Sequence, residues 1–396
     1  MIYILLFLFL LVPVIRYDLL AKQGGEKVWY YASLLLLIIV AGFRYRVGCD
    51  TLIYMAEYNT CPKWNELPYF DFETARYNRL WYIFCAACRS VTEEFLFFQV
   101  VHAIIVNGSF FHFFRKYCPN YYFSAILVWF VGFWCNFNMD VLREVLSVSM
   151  LLWATDWLFE KKYLRYYIVC VICMFMHYSS VVMFFLPLAF LIFRRPNVVV
   201  LIIILPIVIA LTRIINIPNI IANVLSLNDQ LVTVLENYIE QDQKNLTGII
   251  VDIIKFIPVL VIVWLRQINL VEDELDLAPI ISFVVFITGL STYVGVFSRF
   301  FNYISAFYII ALVNSFYQVV TMDKLFENRK MYVMAASLSV LIAFSSYINN
   351  YVKDRSDIYP NTRMYTMYAP YHSVLNPISD NKRESFVENW RDIALF

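Results

Sequence analysis

Long apolar runs separated by short polar turns dominate the chain. A hydrocarbon core of about 30 Å takes roughly 20 apolar residues per helical crossing, and on that rule the pattern predicts about 12 membrane helices, in a range of roughly 11–14. They fall near 2–20, 28–43, 95–114, 121–137, 141–159, 163–176, 179–193, 198–215, 249–266, 278–297, 299–320 and 331–348. The fold class is an all-α polytopic integral membrane protein, one transmembrane domain over 1–396. The first run has no basic start and no small-residue cleavage pattern, so it reads as a retained span and not a signal peptide. Segment 79–89 carries an arginine at each end and is too short to cross, which predicts a re-entrant or interfacial helix on the outer face.

Side assignment follows from the short basic loops. Lys22 and Lys27, Arg115 and Lys116, Lys161, Lys162 and Arg165, Arg194 and Arg195, and Lys324, Arg329 and Lys330 all fall on one side under this span list. The positive-inside rule makes that side cytoplasmic. Both termini then face outward, as do the loops 44–78 and 216–248 and the tail 349–396.

Composition agrees with the periodicity: 61% of residues are hydrophobic, 15% are charged and the mean hydropathy is +0.66. A net charge of +1 argues against a nucleic-acid partner, which would demand a basic surplus to displace counterions. Charge placement says more than charge total. Arg44, Arg46, Arg143, Arg213 and Arg299 lie at outer ends of spans, where the positive-inside rule disfavours them. An arginine near the membrane interior costs on the order of 2.5–3.5 kcal/mol on insertion scales, so several at one level point to an anion. The planar guanidinium fork suits phosphate oxygens. The plainer alternative has these arginines snorkelling to lipid phosphates or pairing with Asp50, Asp140 and Glu144.

The short spans 163–176 and 179–193 set their junction, with His177, below the outer surface beside Arg143. His177 is then either a base or phosphate donor, or a hydrogen-bonded core histidine. His102 and His112 share one span without a carboxylate at ligand spacing, so no metal site is expected. No Gly-rich phosphate loop, nucleophile elbow or HExxH stretch occurs, and no cofactor is expected. Cys85/Cys88 and Cys170/Cys173 lie in apolar runs and read as packing, whereas Cys49 and Cys61 share a polar loop that allows pairing in an oxidising compartment. Segment 220–239 reads as an interfacial amphipathic helix, and the tail tyrosines Tyr351, Tyr359, Tyr365, Tyr368 and Tyr371 as an aromatic belt or sugar-stacking surface.

The stretches "GFRYRVGCD" with Tyr54 after it, "MDVLREVLSVSMLLWA", "MFMHYSSVVMFFLPL", "SRFFNYIS" and "APYHSVL" together resemble the EpsG family of exopolysaccharide polymerases, functional relatives of the Wzy O-antigen polymerases. Arg44, Gly48, Asp50, Arg143, His177, Arg299, Pro370 and Tyr371 match the family pattern. Cys49, Glu144 and Tyr178 depart from it, standing where members often carry a small hydroxyl residue, a Gln and a Lys. The resemblance implies a metal-independent membrane glycosyltransferase, with a GT-C-like architecture, in a bacterial inner membrane. Its substrate would be an undecaprenyl-pyrophosphate-linked oligosaccharide, with a chain-length regulator or flippase as protein partner. Arg44, Arg46, Arg143 and Arg299 would grip the pyrophosphate, Asp50 or His177 would act as base, and Tyr54, Tyr303 and Tyr371 would meet sugars. A lipid-linked-sugar flippase and a membrane glycan acyltransferase are the alternatives from other classes.

Overall fold

The computed structural model describes residues 1–214, 253–270, 277–291, 298–321 and 328–395. The expected loop 216–248 with its amphipathic segment 220–239, the Arg213 side chain and Lys324 lie outside the described residues. Among the described residues the secondary structure is helical, joined by a few isolated β-bridges.

In chain order the helices are α1 (Ile2–Leu19), α2 (Glu26–Gly42), α3 (Thr51–Thr60), α4 (Arg79–Val91), α5 (Phe95–Tyr117), α6 (Tyr122–Met139), α7 (Leu142–Phe159), α8 (Tyr163–Met174), α9 (Tyr178–Ile192), α10 (Val198–Ile214), α11 (Ile257–Gln267), α12 (Ala278–Ser291), α13 (Phe300–Thr321), α14 (Arg329–Val352) and α15 (Asn381–Leu395). Among the described residues, α1, α5, α6, α13 and α14 are long and apolar enough to cross a membrane. Shorter apolar helices occupy Tyr163–Met174, Tyr178–Ile192, Val198–Leu211 and Ala278–Ser291. The chain divides into two compact units, Met1–Val181 with Tyr347–Phe396, and Val182–Ser346.

In the first unit α2 packs on α5, α5 on α7, and α7 on α8. The helices alternate in direction. Tyr30 and Arg115 mark one end, where the guanidinium lies 4.9 Å from the tyrosine ring, and Gly42 meets Val100 toward the other. The basic end gathers Arg115, Lys116 and Lys162, with Lys116 paired to Asp156 and Lys162 to Glu160. There Asp18 of α1 accepts from the backbone N–H of Ser124 at 2.6 Å and its hydroxyl at 2.7 Å, answering the exposed donors of the first turn of α6.

Midway, an apolar bundle needs polar pins to fix its register. Asn107 of α5 donates to Asn138 at 2.8 Å and accepts from the Trp134 indole at 2.8 Å. His102 lies 3.1 Å from the Leu142 carbonyl. All four polar side chains are buried; the two asparagines and the indole find partners inside the protein, while His102 keeps its Nδ1 unpaired among the described residues.

The opposite end corrects two expectations. Residues 44–78 are not simply a loop, because α3 lies within them. Cys49 and Cys61 stand on either side of that helix, and both are buried and free, so they do not pair. Segment 79–89 forms the amphipathic helix α4, whose inner face carries Trp81, Tyr82, Cys85 and Cys88. Its 13 residues are too few to cross a core of about 30 Å. Cys85 and Cys88 are buried in that face, and Cys170 and Cys173 in α8, as packing residues.

In the second unit α12 packs against α10, α11 and α13, and α11 against α13. Leu265, Leu270, Val319 and Ala336 form a buried cluster flanked by Trp264 and Tyr332.

Candidate active site

The end of the first unit opposite the basic loops collects most of the motif residues. The chain leaves α2 through residues 43–50, and the tail returns to pair with them. Tyr45 N–H donates to the His372 carbonyl at 2.8 Å, Val374 N–H to Phe43 at 2.9 Å, and Gly48 N–H to Met367 at 3.0 Å. Two residues of this loop have positive φ, Arg46 at 53° and Gly48 at 109°. At Gly48 a Cβ would come within 2.5 Å of the Met139 carbonyl, so only glycine fits.

This turn drives Arg44 inward, where it is 1% exposed. Its Nη1 donates to the Ala41 carbonyl at 2.5 Å. With the Gln99 amide oxygen turned toward it, the guanidinium also bonds Gln99 at 3.2–3.3 Å. Nη2 is buried with no partner among the described residues. Burial lowers the Arg44 pKa to about 10 against the attraction of Asp140, so the group stays cationic at neutral pH. Beside it, Tyr371 donates its hydroxyl to the Val40 carbonyl at 3.0 Å.

Asp140, in the turn between α6 and α7, ties three segments together. Its carboxylate accepts from Cys49 N–H at 2.5 Å, from Asp50 N–H and from the Tyr368 hydroxyl. Burial, with a further push from the Asp50 charge, raises its pKa to about 7. Because the folded value lies above the ordinary 3.8, stability from the neutral acid is full below pH 3.8 and is lost as pH rises through about 7. Asp140→Asn keeps the acceptor for Cys49 and lets its amide donate to Tyr368. The variant is expected to show a flatter melting temperature between pH 6 and 8 than the parent, and an unchanged slope would refute this account.

Arg143 is the second residue of α7, in its first turn. Its guanidinium carbon lies 3.8 Å from the centroid of the Tyr77 ring, and it bonds the Tyr54 hydroxyl. Its Nε is buried without a hydrogen-bond partner, while the residue as a whole is half-buried. Tyr54 is braced by Trp81 at 5.1 Å and Tyr77 at 6.0 Å. Asp50 precedes the first turn of α3 and is close enough for its charge to act on both Tyr54 and Tyr77. Arg143, Asp50 and Tyr54 thus share one cluster, with Tyr54 buried as a partner of Arg143 and not presented as an open ring.

The remaining candidates are placed differently. Both fork nitrogens of Arg46 are taken by Glu384, at 2.7 and 2.8 Å, a pairing that the nearby acids did not suggest. His177 sits at the α8–α9 junction with Nδ1 2.6 Å from the Ser179 hydroxyl. Arg299 immediately precedes α13 in the second unit and is half-buried, and Tyr303 on the first turn of α13 is fully buried. Tyr77, Arg383 and Glu384 were not singled out for the site by sequence reasoning, and Tyr368, read as a tail tyrosine of an aromatic belt or sugar-stacking surface, is instead a buried partner of Asp140. The only local sign for Tyr77 was its place between Arg76 and Arg79.

No curated protein and no solved structure matches the chain significantly. A family model, that of the EpsG family, matches residues 27–361, a stretch that includes α2 through α14 and the arginine-bearing loop. With most of its length matched in this way, the chain belongs to the EpsG family.

Proposed function

We propose that the chain is a polysaccharide polymerase of about twelve membrane crossings and GT-C-like architecture. It lies in a bacterial inner membrane with the 43–50 end outward, and it extends a lipid-linked glycan there. The growing glycan is transferred from undecaprenyl pyrophosphate to a sugar hydroxyl of a second lipid-linked repeat unit. The acceptor oxygen bonds to the anomeric carbon, the bond from that carbon to the pyrophosphate oxygen breaks, and the hydroxyl proton passes to a base.

The observation that carries this reading is the Arg143 cluster: a guanidinium on a half-buried residue, held against the Tyr77 ring and bonded to Tyr54, with its buried Nε still unpaired. A fork fixed in that way meets the charge that grows on a departing diphosphate without reorganising first. Arg44, cationic and with a buried donor still unpaired, adds to the field. Asp50 is the preferred base because it shares the cluster with Arg143, whereas the His177 ring is engaged by Ser179. Tyr371, half-buried beside Arg44, is the remaining candidate for a sugar contact.

Purified protein in lipid nanodiscs, given an undecaprenyl-pyrophosphate oligosaccharide, is expected to yield a ladder of discrete multimers. Movement of intact lipid-linked sugar across the bilayer without multimers would favour the flippase reading instead. Transfer of an acyl group to the glycan would favour the acyltransferase.

A further inference from the structure

We propose that Arg383 and Glu384, consecutive residues of α15, are positioning residues that lock the loop carrying Arg44 and Asp50 into its working shape. This rests on the polymerase reading for its activity arm and on geometry alone for its structural arm.

Arg383 is 1% exposed and spends its donors on three backbone carbonyls: Nε to Thr366 at 3.1 Å, Nη1 to Arg46 at 3.2 Å, and Nη2 to Pro370. The first and third fix the tail segment, and the second fixes the loop. One side chain therefore joins both strands of the pairing between residues 43–48 and 367–374. Glu384 completes the grip by taking the Arg46 fork in two parallel bonds, the geometry in which a guanidinium–carboxylate pair is strongest and most directional.

Arg46 is thus held at its carbonyl by one residue of α15 and at its side chain by the next. It is also a residue whose backbone lies in the left-handed region, at φ 53°, a conformation that persists only where its surroundings enforce it. Releasing it frees the turn that buries Arg44 on one side and sets Asp50 before α3 on the other. Arg46 acts here as the handle of the loop and not as a ligand of the diphosphate. Both residues of the clamp lie past the stretch matched to the family, which ends at residue 361.

The test uses the full chain in nanodiscs as the parent, E384A, R46E, the exchanged pair R46E with E384R, and the milder R383K. Two readouts are taken: ladder formation against the concentration of undecaprenyl-pyrophosphate oligosaccharide, and amide hydrogen exchange over residues 43–50. A loop displaced by about 1 Å costs on the order of 100-fold in turnover. E384A and R46E are therefore expected to lose most of their kcat while KM changes little, with faster exchange in the loop. The exchanged pair should recover both, and R383K should lie between.

Full activity with unchanged exchange in E384A would overturn the proposal. An exchanged pair that regains slow exchange but stays inactive would overturn it as well, since the Arg46 cation would then be needed on the substrate itself. If the parent makes no ladder, the polymerase reading fails while the exchange data still decide the clamp.

Discussion

Arg143→Lys is expected to cut polymer formation by about 10²–10³-fold while leaving expression and folding intact, the range seen when one preorganised donor to a developing charge is removed. The lysine keeps the positive charge and loses the plane. Only a planar group can lie against the Tyr77 ring at 3.8 Å and bond Tyr54 at the same time. An ammonium in the same place would turn its donors in all directions, and none would be fixed toward the leaving group. Ladders of normal length and yield from the lysine variant, at matched protein level, would remove Arg143 from the chemistry. Tyr77→Leu should fall in the same direction by a smaller factor, since it withdraws the surface that holds the fork and leaves the fork itself.

Gly48→Ala is expected to be the most damaging single-atom addition in the first unit. The new Cβ would meet the Met139 carbonyl at 2.5 Å and the Thr51 hydroxyl at 2.8 Å, and φ of 109° is itself hostile to a side chain. Backbone strain and overpacking together amount to on the order of 3 kcal/mol, enough to show as a lower melting temperature and a reduced monodisperse yield on size-exclusion chromatography. Gly108→Ala is the matched control. It sits within α5 with nothing within 4 Å of the added carbon, and there alanine should be neutral or mildly stabilising. Equal behaviour of the two variants would contradict the role given to the Gly48 turn.

The helices were legible because lipid demands long apolar runs, and the runs at 2–20, 95–114 and 331–348 appear as helices Ile2–Leu19, Phe95–Tyr117 and Arg329–Val352. The expectation that Arg115, Lys116 and Lys162 share one side agrees with their meeting at one end of the first unit. What the sequence did not reveal is how separate motifs meet. "GFRYRVGCD" and "APYHSVL" were each visible, but nothing local says that Arg44 bridges to Ser373, because a pairing across more than 300 positions leaves no periodic trace. The same holds for Arg46. Proximity in sequence suggested Asp50 as its acid, and the partner is Glu384. Helix α3 was hidden inside a polar stretch whose few apolar positions are too short a run to announce a helix. Asp140 was visible as a carboxylate, but its role as a junction of three segments depends on the fold.

The stitching of residues 43–50 to the tail also sets an order in time. The bundle that carries Arg143 is synthesised and can enter the bilayer long before Thr366, Pro370, Arg383 and Glu384 leave the ribosome, so the loop has no clamp until those residues have been made. A polypeptide that stops before residue 366 therefore carries Arg44, Asp50 and Arg143 without the contacts that hold their loop in place.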